Sequence, residues 1–454
     1  MPKEKNLRTF MEQLEAAGLL ARVKQEVDPR YELAGVMFKS VLAKGPALLF
    51  TNVKGKGIAL VANLCASRQR MARALDTTPD RAGEVYLERL KRYLPPERSS
   101  SGSCQQVVEA EVDLDSLPII TAHEYDAGPY ISCGVVVARH PDSGLANLSL
   151  HRIFPLSKDK AAIFINPASD LAQYYRSAGN SPLAIAVVLG LHPAFLMAGA
   201  AKFPLGVDEY DVAGSFLGQP TRLVKCQTSD IEVPVDAEIV LEGEIAQGER
   251  VPEGPFGEYP GTYGAGNLTP KDAPVIHFKC FTHREQPIYQ AIICGPTLGH
   301  ESTYLNCVSR EGGLYTATKA VCPAVKAVCI HPCRYVAAIQ LGGGYHPGDV
   351  GLILAAAFST NDFVKYVVVV NEDVDIADPA DLFWAMSTRV DPGRDFHIFP
   401  QMREDALDPS TNRVCDKVGI DASVPLDVDA RGFTRTRIPN LDKINLAKYL
   451  EAFL

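Results

Sequence analysis

The 454-residue chain has no surplus of basic residues: 45 lysines and arginines face 54 aspartates and glutamates, for a net charge of −9. Such a surface repels phosphate backbones, and no local basic stripe offsets it, so no nucleic-acid partner is expected. The start, MPKEKNLRTFMEQL, lacks an apolar core and a small-residue cleavage site, which argues against secretion. Eleven cysteines are scattered without a spaced framework, and an odd count fits a reducing compartment, so a cytoplasmic location is expected. The longest apolar stretch, Leu183 to Ala201, reaches membrane-spanning length but carries His192 and Pro193 in its middle. It reads instead as a buried strand, a turn, and a helix opened by Pro193, with no membrane span.

What is present is ordinary globular material. Apolar residues at 46% and charged residues at 22% fit a folded chain of two or three domains with a large interior. Leu7, Phe10, Met11 and Leu14 follow helical spacing, with Gly18 where a C-terminal cap belongs. Pro95, Pro96 and the following ERSSSGS mark a linker and a boundary near residue 100. From about 106 to 300 short strands such as ISCGVVVAR, AAIFIN, LAIAVVLG, EIVLEGEI and PVIHFKCF alternate with Gly and Pro turns, so a β-rich domain is expected over 101–302. A helix over 303–320 leads to an α/β region, 321–435, with candidate strands AVKAVCI, YVAAIQL and YVVVV. Leu446, Tyr449, Leu450, Phe453 and Leu454 form an apolar stripe, predicting a terminal helix over 436–454 that packs on its own domain or on a second subunit. The fold class is therefore α/β (α+β), with an α/β portion over 1–100 ahead of the central domain.

Three windows carry chemistry. Val251-Pro-Glu253-Gly-Pro-Phe-Gly-Glu258 sets two carboxylates five residues apart around a rigid turn; facing a cleft with an arginine between them, they could divide the roles of ionised partner and proton donor. Two solvated turn carboxylates are the bland alternative. Asn147-Leu-Ser149-Leu-His151-Arg152 would place Asn147, Ser149 and His151 on one strand face and Arg152 on the other, unless a bulge re-aims them. A surface strand with polar residues outward explains it equally well. Gly206-Val-Asp-Glu209-Tyr offers acidic oxygens for a hard metal or, equally, carboxylates at a helix N-terminus. Cys322, Cys329, His331 and Cys333 have poor zinc spacing and read as structural. Gly342-Gly-Gly-Tyr-His-Pro-Gly348 lacks the lysine and serine of a phosphate loop and reads as a turn between strands.

Taken in order, several long segments resemble the UbiD family of decarboxylases, including its ferulate-type members. They are LPIITAHEYDAGPYISCGVVVARHPDSGLANLSLHR, VVLGLHPAFLMAGA, GVDEYDVAGSFLGQPTRLVKC, EIVLEGEI, EGPFGEYPGTYG and DVDIADPADLFWAMSTRVDP. The resemblance implies a central split β-barrel flavin-binding domain and a C-terminal α/β oligomerisation domain. It implies that Arg152, Glu253 and Glu258 are the catalytic triad. It also implies prenylated FMN as cofactor, bound by Ser149, His151, Arg152 and, on a looser match, Lys365. Asn147 and Glu209 match two ligands of the family's divalent metal, Mn²⁺ or Mg²⁺, beside K⁺.

The family's third ligand is often a histidine in a Pro-x-His-Leu segment, whereas this chain has Asn166-Pro-Ala-Ser169-Asp170-Leu. Asp170 supplies a carboxylate that suits a hard cation, and Ser169 is the competing alignment.

The implied reaction is reversible, non-oxidative decarboxylation of an aromatic, heteroaromatic or α,β-unsaturated acid. Loss of CO₂ from an sp² carbon needs an electron sink, supplied by a covalent adduct with prenylated FMN, while the protein positions the acid and delivers the proton. His300, in GPTLGHESTYLN, is a candidate reader of a polar ring or second carboxylate, which favours a furan-dicarboxylate-like acid; a helix-capping role is the alternative. Hydroxybenzoates and their polyprenylated forms are the rival substrates, and a non-catalytic metal-binding or assembly protein is the rival class. Implied partners are the acid and CO₂, a flavin prenyltransferase that supplies the cofactor, and further copies of the chain in a homodimer or hexamer.

Overall fold

The computed structural model describes residues 4–445 and 449, apart from 80, 168, 202–205, 265–267, 296–299, 332–334, 361–363, 406, 412–413 and 441–442. The N-terminal portion alternates helices α1 (Leu7–Ala16), α2 (Glu32–Leu42), α3 (Arg68–Ala74) and α4 (Ala82–Arg89) with strands β1 (Leu20–Val23), β2 (Ala47–Phe50) and β3 (Ala59–Ala62). Helix α1 starts where Asn6 and Thr9 cap each other reciprocally, and it buries Leu7, Phe10, Met11 and Leu14 as their spacing predicts. The polar stretch after Pro96 is not a free linker. It holds β4 (Glu97–Ser99), which pairs in parallel with Arg222–Lys225, because ladder hydrogen bonds come from the backbone and an edge strand tolerates polar side chains.

After β5 (Val107–Glu109) the central domain is built on β6 (Val135–Arg139), β7 (Ala146–Leu150), β8 (Ile153–Pro155), β9 (Lys160–Ile163), β10 (Leu183–Leu189), β11 (Arg222–Lys225), β12 (Glu232–Pro234), β13 (Ile239–Glu253), β14 (Lys271–His283) and β15 (Ile288–Gln290). Its helices are α5 (Asp170–Ser177), α6 (Pro193–Ala200) and α7 (Glu209–Leu217). The main sheet runs β7-β6-β10-β13-β14-β9-β8, with β5 added to β14. A bridge between Ile131, just before β6, and Ile153 of β8 brings its two ends together, so the sheet curls into the half-barrel expected for this domain.

Two-residue periodicity divides the interior. Val135, Val137, Ala186 and Val188 face a core shared with α1, α6 and α7, while Val136, Ala138, Ile185 and Val187 face one shared with α2 and β2. The apolar run at 183–200 is therefore β10 and α6, with His192 capping the helix, and not a membrane span. Among the described residues no helix is long and apolar enough to cross a membrane.

Strand β15 joins β1, β2 and β3 in one sheet, tying the N-terminal portion to the central domain. Helix α8 (Glu301–Val321), which contains the predicted 303–320 helix, adds two further ties. Glu301 accepts the backbone N–H groups of Asn63 at 2.8 Å and Cys65 at 2.9 Å, and Glu311 takes the Arg68 guanidinium through both carboxylate oxygens.

The C-terminal domain is a sheet of β16 (Val325–Ile330), β17 (Val336–Leu341), β18 (Tyr366–Asn371), β19 (Phe396–Arg403) and β20 (Val414–Asp421), ordered β16-β17-β18-β20-β19. It carries α9 (Asp349–Thr360), α10 (Pro379–Arg389) and α11 (Pro392–Asp395). The Gly342–Gly348 turn joins a strand to a helix, β17 to α9, where a strand-to-strand turn was expected. The predicted terminal helix is not formed over its described residues 436–440 and 443–445; of the stripe, Leu446, Leu450, Phe453 and Leu454 lie outside the described residues, and Tyr449 is exposed.

Candidate active site

Strand β7 ends at Leu150, and the chain resumes as β8 only at Ile153. Asn147, Ser149 and His151 nonetheless stay hydrogen-bonded together and Arg152 points to Glu253 and Glu258, as simple alternation expects. Arg152 meets the far end of β13, donating from Nη2 to Glu253 Oε2 at 2.8 Å and from Nη1 to Glu258 Oε1. Side-chain exposures of 7% for Arg152, 0% for Glu253 and 11% for Glu258 put the three charges out of bulk water. Burial opposes the guanidinium charge, but Glu258 and Glu253 outweigh it and raise the Arg152 pKa above its ordinary value. Phe164 and Phe256 flank the guanidinium, with ring centroids 4.3 and 4.9 Å from Cζ. Among the described residues, Arg152 Nε is buried without a hydrogen-bond partner, while Tyr130 lies within hydrogen-bonding reach of Glu253. An unused donor on a buried, ion-paired arginine is a point where a bound ligand would be held.

The turn bearing Glu258 is braced from the segment ahead of β6. Asp126 Oδ1 accepts the Gly257 N–H at 2.7 Å, and its Oδ2 accepts from the His123 ring at 3.0 Å. Ala127 N–H donates to the Pro255 carbonyl at 2.8 Å. The imidazole lies so close to Gly257 that a Cβ there would sit 2.4 Å from His123 Nδ1, which is why the turn needs glycine at this position. On the neighbouring strand, Lys271 is the register partner of Glu253 and places Nζ 4.9 Å from the Phe164 ring, adding a second cation. Sequence reasoning missed Asp126, His123, Lys271 and Phe164. Asp126 and His123 lay inside a quoted segment, HEYDAGPY, but only the fold carries them to residue 257.

A second polar cluster lies on the other side of the β7 interruption. Glu209 opens α7 and is buried, yet no cationic side chain pairs with it among the described residues. It accepts from Leu148 N–H and lies 3.2 Å through each oxygen from Asn147 Nδ2. Burial, with the Asp170 charge as a further cause, pushes Glu209 up to about 8, and burial raises Asp170 as well. The Ser169 hydroxyl caps α5, accepting from Ala172 N–H at 3.2 Å and donating to the Asn166 carbonyl at 2.8 Å. A carboxamide beside a buried carboxylate, with a second carboxylate near enough to disfavour its charge, is the donor chemistry of a hard divalent cation, so these residues fit such an ion.

Two predicted residues sit apart from both clusters. Lys365 precedes β18 in the C-terminal domain, paired with Asp408 and donating to Ser410 Oγ at 2.7 Å. His300 precedes α8, fully buried, and burial pushes its ring down to about 3. Its Nε2 accepts from Gly295 N–H at 3.0 Å and lies 3.1 Å from the Tyr259 carbonyl, while Nδ1 is 2.8 Å from Ser302 Oγ. With Nε2 accepting from Gly295, the Tyr259 carbonyl is a neighbour of the ring and not its hydrogen-bond partner, so His300 packs against the residues that follow Glu258. Among the described residues no group of three His, Cys, Asp or Glu side chains is placed to hold a metal, and Cys333 of the disfavoured zinc set lies outside them.

Known proteins match this chain along nearly its whole length. Family models for 3-octaprenyl-4-hydroxybenzoate carboxy-lyase cover residues 11–90 (N-terminal domain), 97–297 (Rift-related domain) and 303–422 (C-terminal domain). Anhydromevalonate phosphate decarboxylase of Methanothermobacter thermautotrophicus is 33% identical over 92% of this chain and 97% of its own. The UbiD-class enzyme HmfF from Pelotomaculum thermopropionicum, solved with FMN, superposes with a TM-score of 0.91 at 39% identity, covering 98% of this chain and all of that one. The 3,4-dihydroxybenzoic acid decarboxylase of Enterobacter cloacae superposes with a TM-score of 0.88 at 27% identity, covering 99% and 100% of the two chains. The protein is thus an enzyme of the carboxy-lyase class, a decarboxylase. It belongs to the UbiD family.

Proposed function

We propose that the enzyme catalyses reversible, non-oxidative decarboxylation of a heteroaromatic acid, a furan carboxylate or dicarboxylate in the first instance, using prenylated FMN with Mn²⁺ or Mg²⁺ and K⁺. The observation that carries the reading is Arg152 bonded at once to Glu253 and Glu258 in a buried site. When bound, the prenylated flavin supplies the electron sink that an sp² carbon lacks. Arg152 orients the substrate carboxylate, with Nε as its unused donor, and Glu253 fixes the guanidinium from behind. Glu258 delivers the proton that replaces CO₂. Ser149, His151 and Lys365 are assigned to the cofactor, and Asn147, Glu209 and Asp170 to the divalent ion. Asp170 is preferred to Ser169 because the serine hydroxyl already caps α5.

The substrate preference rests on His300 as a reader of a polar ring or second carboxylate, and a prenylated-FMN complex of an evolved dimeric form of HmfF supports both the cofactor and a homo-oligomer. The similarity to anhydromevalonate phosphate decarboxylase favours a second reading, a non-aromatic unsaturated acid. Protein co-expressed with a flavin prenyltransferase should release a cofactor with the mass of prenylated FMN and liberate CO₂ from a furan acid. In Glu258→Gln turnover should fall by about 10²- to 10⁴-fold with the cofactor still bound. Unchanged turnover in that variant would remove Glu258 from the mechanism.

A further inference from the structure

Asn147, Ser149 and His151 form a hydrogen-bonded chain that is one proton short. His151 Nδ1 lies 3.0 Å from the Phe164 carbonyl, which can only accept, so Nδ1 carries a hydrogen. Burial pushes the ring down to about 4, which keeps it neutral near pH 7 and leaves Nε2 a bare lone pair. Ser149 Oγ lies 3.0 Å from that nitrogen and 3.0 Å from Asn147 Oδ1, two acceptors for one hydroxyl hydrogen.

A half-turn of the Asn147 carboxamide removes the conflict. Nδ2 then donates to Ser149 Oγ, the Ser149 hydroxyl donates to His151 Nε2, and the Phe164 carbonyl accepts from Nδ1. The same half-turn brings Oδ1 toward the Glu209 carboxyl, where two oxygens can face each other only across a shared proton or a cation, and a divalent ion supplies the second. Without the Nε2 acceptor, the serine hydrogen goes to Oδ1 and holds the amide with Nδ2 on Glu209.

We propose that Asn147, Ser149 and His151 are a two-position carboxamide switch, in which the His151 Nε2 lone pair favours the orientation that offers Asn147 Oδ1 to a divalent cation shared with Glu209. His151 is thus a positioning residue acting through Asn147. The inference rests on the divalent-ion assignment made above, and the experiment separates the two.

Apoprotein, without flavin or substrate, is titrated with Mn²⁺ while the free-ion electron paramagnetic resonance signal is followed. His151→Phe, which keeps the ring shape and deletes the acceptor, should weaken Mn²⁺ binding about 10- to 100-fold, the usual cost of losing a group that orients a ligand. Ser149→Ala should weaken it comparably, and the double variant should bind no worse than the weaker single one, because both act through one amide. Nitrogen-15 spectra of the wild-type apoprotein with Mg²⁺, which need no variant to fold, should show His151 as the neutral Nδ1–H tautomer. Wild-type affinity in His151→Phe, or an Nε2–H tautomer, overturns the switch while leaving the metal site standing. Wild-type protein that binds Mn²⁺ no better than Asn147→Ala overturns the metal assignment itself.

Discussion

Asp126 accepts the backbone N–H of Gly257 at 2.7 Å, so a carboxylate 131 residues upstream fixes the turn that aims Glu258. Its other oxygen holds the His123 ring, and its side chain is only 1% exposed, which makes this a buried, charge-assisted brace. Asp126→Ala should leave that N–H without its partner, cost about 1–3 kcal/mol of stability, and lower kcat by loosening Glu258. Asp126→Asn keeps an oxygen for Gly257 and should retain most of the stability. Thermal melts and turnover of the two variants decide it, and equal stability in both would show that the contact braces nothing.

Arg152 is expected to be irreplaceable even by lysine. A single ammonium cannot reach Glu253 and Glu258 in a planar fork and keep a further donor for substrate. Arg152→Lys should lose about 100-fold or more in kcat through misplacement alone, with cofactor content unchanged. Turnover within a few-fold of wild type would show that charge, and not geometry, is what the site needs.

Glu301 makes apoprotein stability depend on pH. Burial pushes this carboxyl up to about 7, above its value in the unfolded chain. The folded protein therefore binds the proton more tightly, and the contribution is full below the unfolded pKa and is lost as pH rises from about 4.3 through about 7. The loss amounts to about 4 kcal/mol over that window. Melting temperatures of wild type and Glu301→Gln should converge or cross between pH 5 and 8, with the wild type falling more steeply. Parallel curves would assign the pH dependence to other groups.

His300 gives a specificity test. If it reads a second substrate carboxylate through the segment it packs against, His300→Ala should raise KM for a furan dicarboxylate about 10-fold, within the range for one lost polar contact. The monocarboxylate should be less affected. Equal changes for both acids, or none across a panel, would leave His300 a buried structural residue at the start of α8, where its side chain makes no capping bond.

Much of this architecture was legible because it is written in local periodicity. The four apolar positions of α1, the alternation in β6 and β10, and the Pro193 start of α6 are each set by neighbours within a few residues. Glu253 and Glu258 were visible as a pair because one turn holds both. The contacts that were not legible join distant residues. The Asp126 brace spans 131 positions, and Lys271 reaches Glu253 only through the register of β13 and β14. Polar ERSSSGS was read as a linker because composition reports solvent exposure, whereas β4 exists through backbone pairing.

The ties from α8 to the N-terminal portion bear on how family members can be recombined. Glu301 needs the N–H groups of Asn63 and Cys65, and Glu311 needs Arg68, so residues 63–68 and 301–311 behave as one inherited unit although 232 positions separate them. A chimera with its crossover anywhere between them would bury a carboxylate from one parent against a loop shaped by the other. Productive exchanges should therefore move both segments together.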